Sequence, residues 1–176
     1  MVEIWLSLLT LVVIMMFILL IYKLDKQQDI PMHIVGTEDR VAEYIKNQNS
    51  NLDIDTVYKL SNAIVRESEI HEIPVNLMLG LIKTESHFRQ YEISNAGAMG
   101  FWQILPKYHL DKIRQLDNKN LYDADVNTTL GANILKDCLK KHKRSLETGL
   151  SCYNGSASDR TKKYARKVLK NIPLII

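Results

Sequence analysis

Cysteine is scarce, with two residues in a chain of 176. That excludes a disulfide-dense miniprotein, and a four-ligand zinc site would need His or carboxylate ligands as well. The five histidines, at positions 33, 71, 87, 109 and 142, show no His-x-x-x-His spacing or other metal-ligand pattern. There is no phosphate-cradling glycine loop, no internal repeat and no low-complexity tract. Neither a metal nor a cofactor is implied. Charge of one sign is also lacking. The formal net charge of +3 is too small and too scattered to argue for a nucleic-acid partner.

Apolar residues are plentiful but unevenly spread. From Ile4 to Tyr22, 17 of 19 residues are apolar, the exceptions being Ser7 and Thr10. The other residues are still about 41% apolar, enough for a core and too many for a disordered tail. As a helix, 19 residues would rise roughly 28 Å, close to the hydrocarbon thickness of a bilayer. The run holds no charge, Pro or Gly, and Trp5 and Tyr22 stand at its ends, where amphipathic rings favour the headgroups. A cleavable signal peptide is the competing reading. It is disfavoured by the length of the run, the missing basic segment before it and the missing A-x-A site after it. Residues 1–22 are thus expected to form a single transmembrane helix, engaging a lipid membrane through residues 4–22. Lys23 and Lys26, partly offset by Asp25, weakly favour a cytoplasmic location for the C-terminal bulk of the chain.

Residues 23–52 read as a tether, polar and with one Gly, carrying a short helix from Thr37 to about Asn47. Fully flexible, the stretch from Leu24 to Asn51 would reach roughly 30 Å. Residues 53–176 read as an all-α domain. Asp53 or Asp55 can cap a helix bearing Val57, Leu60, Ile64 and Val65, which stops before Ile73-Pro74. Pro74 suits a first turn, and Val75 to Ser86 reads as the next helix. A loop from Phe88 to Gly100 comes next. The pattern places further helices over Pro106–Leu116, Asn127–His142, Ser145–Tyr153 and Asp159–Asn171.

One carboxylate stands out. Glu85 follows Met78, Leu81 and Ile82 by seven, four and three residues, which puts it on the apolar face of its helix. Loss of solvation there favours the neutral acid and raises its pKa, as protonating a glycosidic oxygen requires. An isolated Glu more often caps an exposed helix end, and position alone does not decide between the two.

The residues after it do. Glu85-Ser86, Ser94, Gly97-Ala98, Gly100-Phe101-Trp102-Gln103, Val126-Asn127 through Gly131-Ala132, Cys152-Tyr153-Asn154-Gly155 and Tyr164 succeed one another in order. Over residues 54 to 170 this series resembles the soluble lytic transglycosylase domain of the lysozyme-like superfamily. Its Glu-Ser motif is kept. Its Gly-Leu-Met-Gln motif has an aromatic pair in the middle, and its Ala-Tyr-Asn-Ala-Gly motif is reduced to Cys-Tyr-Asn-Gly. The resemblance implies an enzyme cleaving the β-1,4 bond between N-acetylmuramic acid and N-acetylglucosamine of peptidoglycan, with formation of a 1,6-anhydro product. Glu85 would be the single general acid/base, and Ser94, Gln103, Tyr153, Asn154 and Tyr164 would contact substrate.

Each of these residues also has a plainer reading. Gln103 and Asn154 can be loop or cap polars, Tyr153 can be core and Ser94 can shape a turn. Phe101 and Trp102 suit either packing or stacking on sugar faces. A lysozyme-type hydrolase and a non-catalytic membrane-anchored glycan-binding protein are the alternatives, the latter disfavoured by the presence of Glu85. The implied partners are peptidoglycan glycan strands and, according to the setting, a secretion machine or a virion. The setting is either the bacterial inner membrane facing the periplasm or a phage virion membrane. Cys138 and Cys152 lie 14 apart on consecutive expected helices. A disulfide suits an extracytoplasmic domain, while two buried thiols are the slightly favoured reading.

Overall fold

The computed structural model describes Met15, Met16 and residues 36–175. The chain divides into two compact units, Met1–Ile34 and Val35–Ile176. Of the first, Met15 and Met16 alone are described, both helical and exposed. The membrane-spanning helix expected within residues 1–22 otherwise lies outside the described residues. Among those that are described, no helix is long and apolar enough to cross a membrane.

The second unit is helical. Its elements are α1 (Thr37–Gln48), α2 (Ile54–His71), α3 (Val75–Glu85), a 3₁₀ turn (Pro106–Tyr108), α4 (Leu110–Arg114), α5 (Ala124–Lys141), α6 (Leu146–Tyr153) and α7 (Lys163–Lys170). The centre is α3, whose Leu77, Met78, Leu79, Gly80, Leu81 and Ile82 are all buried. A helix apolar on every side has to be surrounded. α7 packs on it, α2 touches it, and α2 in turn packs on α5 and α1 while α5 packs on α6.

Caps explain where these helices begin. The Asp53 carboxylate accepts from the Thr56 amide at 2.8 Å, the Asp123 carboxylate from the amides of Asp125 and Val126, and the Ser145 hydroxyl from the Thr148 amide. With Asp123 as cap, α5 starts three residues before the expected Asn127. The stretch expected as one helix over Pro106–Leu116 is instead a 3₁₀ turn and a short α4, separated at His109. α7 starts at Lys163 because the Asp159 carboxylate accepts from the Thr161 amide and hydroxyl and from the Lys163 amide. Such side-chain bonds offer the backbone a turn in place of helix.

Two further findings differ from the sequence expectation. The short helix expected from Thr37 within the tether 23–52 is present as α1, but it is part of the domain, with Val41, Ala42 and Ile45 buried in the core. Cys138 and Cys152 were expected, by a narrow margin, to be thiols. They form a disulfide between α5 and α6 with Cα atoms 5.6 Å apart.

Candidate active site

Glu85 is the last residue of α3. Directly after it the chain turns through two non-glycine residues in the left-handed region, His87 (φ 52°) and Phe88 (φ 59°). Such residues cost on the order of 1–3 kcal/mol each and persist only where the surroundings enforce them. Here the Phe88 ring is fully buried and meets Tyr44 of α1 edge-on at 5.8 Å. The Phe88 carbonyl accepts from the Asn49 side chain at 2.9 Å. The end of α3 is thereby braced from α1.

The Glu85 carboxyl is partly buried at the edge of a cleft of about 810 Å³. Desolvation raises its pKa above the ordinary carboxylate range, while the Tyr164 hydroxyl, which donates to Oε1, and the charge of Lys167 act in the opposite direction. The Lys167 ammonium also donates to the Thr84 carbonyl at 3.4 Å. Glu85 is the only acid in the lining of this cleft among the described residues. Glu92 pairs instead with Arg89, and Asp123 is occupied by capping and by Lys59 at 2.6 Å.

One wall is the loop from Glu92 to Ile104. It folds on itself through isolated bridges, Ile93 to Met99 and Met99 to Ile104, and it is clamped from α5 by Asn127. The Asn127 side chain accepts from the Trp102 amide at 2.9 Å and donates to the carbonyls of Leu121 and Met99. Gly100 sits against that amide with φ 76°. A Cβ there would lie 2.5 Å from Asn127 Nδ2 and 2.6 Å from the Leu121 carbonyl, so glycine is required.

The residues expected to contact substrate take different positions. Ser94 lines the cleft while its hydroxyl accepts from the Ala98 amide, so it also shapes the turn. Gln103 lines the cleft with φ 49°, and its Nε2 donates to the carbonyls of Glu92 and Gly100. Tyr153 lines it too, and its hydroxyl donates to the Trp102 carbonyl at 2.7 Å; burial, then the charge of Glu85, pushes that phenol well up. Asn154 is exposed at the end of α6, on the rim. Tyr164 does not line this cleft but reaches Glu85 from α7, and its own phenol is pushed well up by burial and by Glu85.

The aromatic pair within the second motif does not line the cleft. Phe101 and Trp102 are both fully buried, and the Trp102 indole donates to the Thr128 hydroxyl at 3.3 Å. Tyr108 is the exposed aromatic of the cleft, with 69% of its surface accessible. It escaped the sequence reading, as did its neighbours Leu105 and His109 and the place of Cys138 and Cys152 in the lining. Lys167 escaped as well. An exposed Tyr beside Pro106 was the one signal available, and nothing in its own segment marked it as near Glu85.

A partly buried carboxyl under a tyrosine, alone in a long cleft of an all-helical domain, defines a candidate glycoside-cleaving site of lysozyme-like type. The Transglycosylase SLT domain family matches residues 62–173, and the chain belongs to that family. It is 31% identical over 110 residues to the protein named Transglycosylase of Enterobacteria phage PRD1, a match that covers 60% of this chain and 40% of that protein. The chain thus spans less than half of the curated relative it matches. Its fold is similar to the X-ray structure of an inactive mutant of the lytic transglycosylase Slt from Pseudomonas aeruginosa, with a TM-score of 0.56 and 16% identity, over 78% of this chain and 34% of that one.

Proposed function

We propose that this domain is a peptidoglycan lytic transglycosylase that cleaves the β-1,4 bond between N-acetylmuramic acid and N-acetylglucosamine and leaves a 1,6-anhydro-muramic end. The observation that carries the proposal is Glu85, a desolvated carboxyl with no second acid among the described residues of its cleft. Glycosidases that hydrolyse generally use two carboxylates, one as acid and one as base or nucleophile. A single group has to serve twice.

The neutral Glu85 donates its proton to the glycosidic oxygen as the bond from the muramic anomeric carbon to that oxygen breaks. The muramic N-acetyl oxygen stabilises the cationic carbon. The Glu85 carboxylate then takes the proton of that sugar's own 6-hydroxyl, whose oxygen closes on the anomeric carbon and displaces the N-acetyl oxygen. Glu85 is returned to its neutral form, and no water is consumed. A hydroxyl already held on the reacting sugar has an entropic advantage over free water. Tyr164, donating to Oε1, is suited to holding the carboxyl in place through both steps. Gln103, Tyr153 and Asn154 would orient the sugars, Ser94 would shape the loop, and the exposed ring of Tyr108 suits stacking on a sugar face.

Mass spectrometry of a cell-wall digest tests the reaction. The expected product is one water lighter than the hydrolysis product, and Glu85→Gln abolishes it. Predominantly reducing muramic ends would instead make the domain a hydrolase.

The similarity to a phage protein favours a phage setting over a bacterial envelope or secretion machine. The run Ile4–Tyr22 would then hold the domain at a membrane. Protease applied outside intact host cells distinguishes the two. Digestion of the domain indicates an envelope enzyme, whereas protection in cells with activity in particles indicates the virion.

A further inference from the structure

A second cavity, of about 410 Å³, adjoins the catalytic cleft and is lined by Asn154, Ser156, Asp159, Lys163, Tyr164 and Lys167. Asn154 lines both cavities, and Tyr164, in the wall of the second, donates to Glu85 in the first. The second cavity therefore stands one side chain away from the reacting bond. Lys163 and Lys167 lie four residues apart on α7 and share one face of it.

The charge of this cavity is unbalanced. Asp159 is the only acid among the described residues that line it, and that carboxylate is engaged by the Thr161 amide and hydroxyl and by the Lys163 amide. Lys167 makes one long bond, to the Thr84 carbonyl, although an ammonium has three donors. Lys163 makes no ion pair among the described residues and is exposed. The charge of Lys167 also acts on Glu85, so the exposed Lys163 ammonium is the one left beside a groove for neutral sugars to meet an anion that arrives with the sugar.

We infer that Lys163 and Lys167 form an anion subsite for a carboxylate of the peptide stem carried by the muramic residue. The inference rests on the proposed glycan cleavage at Glu85. In peptidoglycan the sugars of the strand are uncharged, and free carboxylates belong to the peptides that branch from the muramic lactyl group. A stem carboxylate brought to α7 would gain charge-assisted hydrogen bonds and would fix which muramic residue sits at Glu85.

The test is binding, measured by calorimetry on the full chain in detergent with Glu85→Gln, which keeps substrate intact. The probes are one soluble glycan oligomer with its peptide stems and the same oligomer stripped of them by an amidase, with the lactyl carboxylates that the cleavage exposes capped as methyl amides. The expected result is about three- to tenfold tighter binding of the peptide-bearing oligomer, a preference that is lost with Lys163→Gln and kept with Lys163→Arg. Equal affinities for the two oligomers, failure to bind either, or a preference that survives Lys163→Gln would each overturn the subsite. Turnover by the unmodified chain is read separately by mass spectrometry. A failed subsite with normal anhydro product leaves the reaction standing, and intact discrimination without product leaves the subsite standing.

Discussion

Trp102 and Gly131 are fitted to each other. The indole lies so close over α5 that a Cβ on Gly131 would sit 2.4 Å from its Cδ2 atom. Trp102 cannot yield, because it is fully buried, its amide is bonded to Asn127 and its carbonyl to Tyr153. Gly131→Ala should therefore destabilise the domain by at least about 1–3 kcal/mol, seen as a lower melting temperature. Adding Trp102→Met, which empties the space, should recover part of the loss.

The pH dependence of cleavage should follow Glu85. In the proposed reaction the acid starts protonated, so kcat/KM should fall as pH rises through its pKa, which burial places above the ordinary carboxylate range. Lys167 and the Tyr164 hydroxyl both favour the ionised form. Lys167→Met and Tyr164→Phe should each move the alkaline limb of the profile to higher pH. Stability has the matching sign. A carboxyl whose folded pKa is raised stabilises fully while protonated in both states, and that contribution is lost as pH rises from the unfolded pKa through the folded one. Glu85→Gln should thus be inactive yet melt higher than the parent at neutral pH, a difference that shrinks in acid.

Gln103 and Asn154 should separate under alanine substitution. Gln103 ties two carbonyls of the cleft loop, so Gln103→Ala should lower the melting temperature, by the equivalent of about 1–2 kcal/mol, as well as turnover. Asn154 is exposed, and its Oδ1 accepts only from the Ser156 hydroxyl among the hydrogen bonds described. Asn154→Ala should lower turnover with little change in melting.

Reduction of the disulfide should be felt at the site. Cys152 precedes Tyr153 and Asn154, and both cysteines line the cleft. Opening a loop of this length should cost about 3 kcal/mol, read as a drop in melting temperature on adding reductant. Cleavage should weaken with it, because α6 presents Tyr153 and Asn154 from the helix that the bridge anchors.

The features legible in the sequence were the local ones. Asp53 and Ser145 mark helix starts through bonds within a turn and Pro74 through its fixed backbone angle, and Met78, Leu81 and Ile82 place Glu85 on a buried face through helical periodicity alone. Tyr164 came from the resemblance as a substrate contact, and its bond to Glu85, 79 residues away, was not legible because no periodicity reaches that far. Trp102 could not be assigned to groove or core because residues that enclose it, Asn127, Thr128 and Gly131, lie on α5, distant in sequence. α1 was legible as a short helix, but its place in the core was not. Polar residues flank it, and its apolar face, Val41, Ala42, Tyr44 and Ile45, has meaning only against α2 and Phe88.

α1 also lies wholly upstream of residues 62–173, the segment by which the family is recognised. Yet Tyr44 and Asn49 hold the strained turn directly after Glu85. The portable module is therefore longer than its family signature. A graft that begins at Asp53 would carry the whole catalytic constellation but leave its brace behind, and one that begins at Gly36 would carry both.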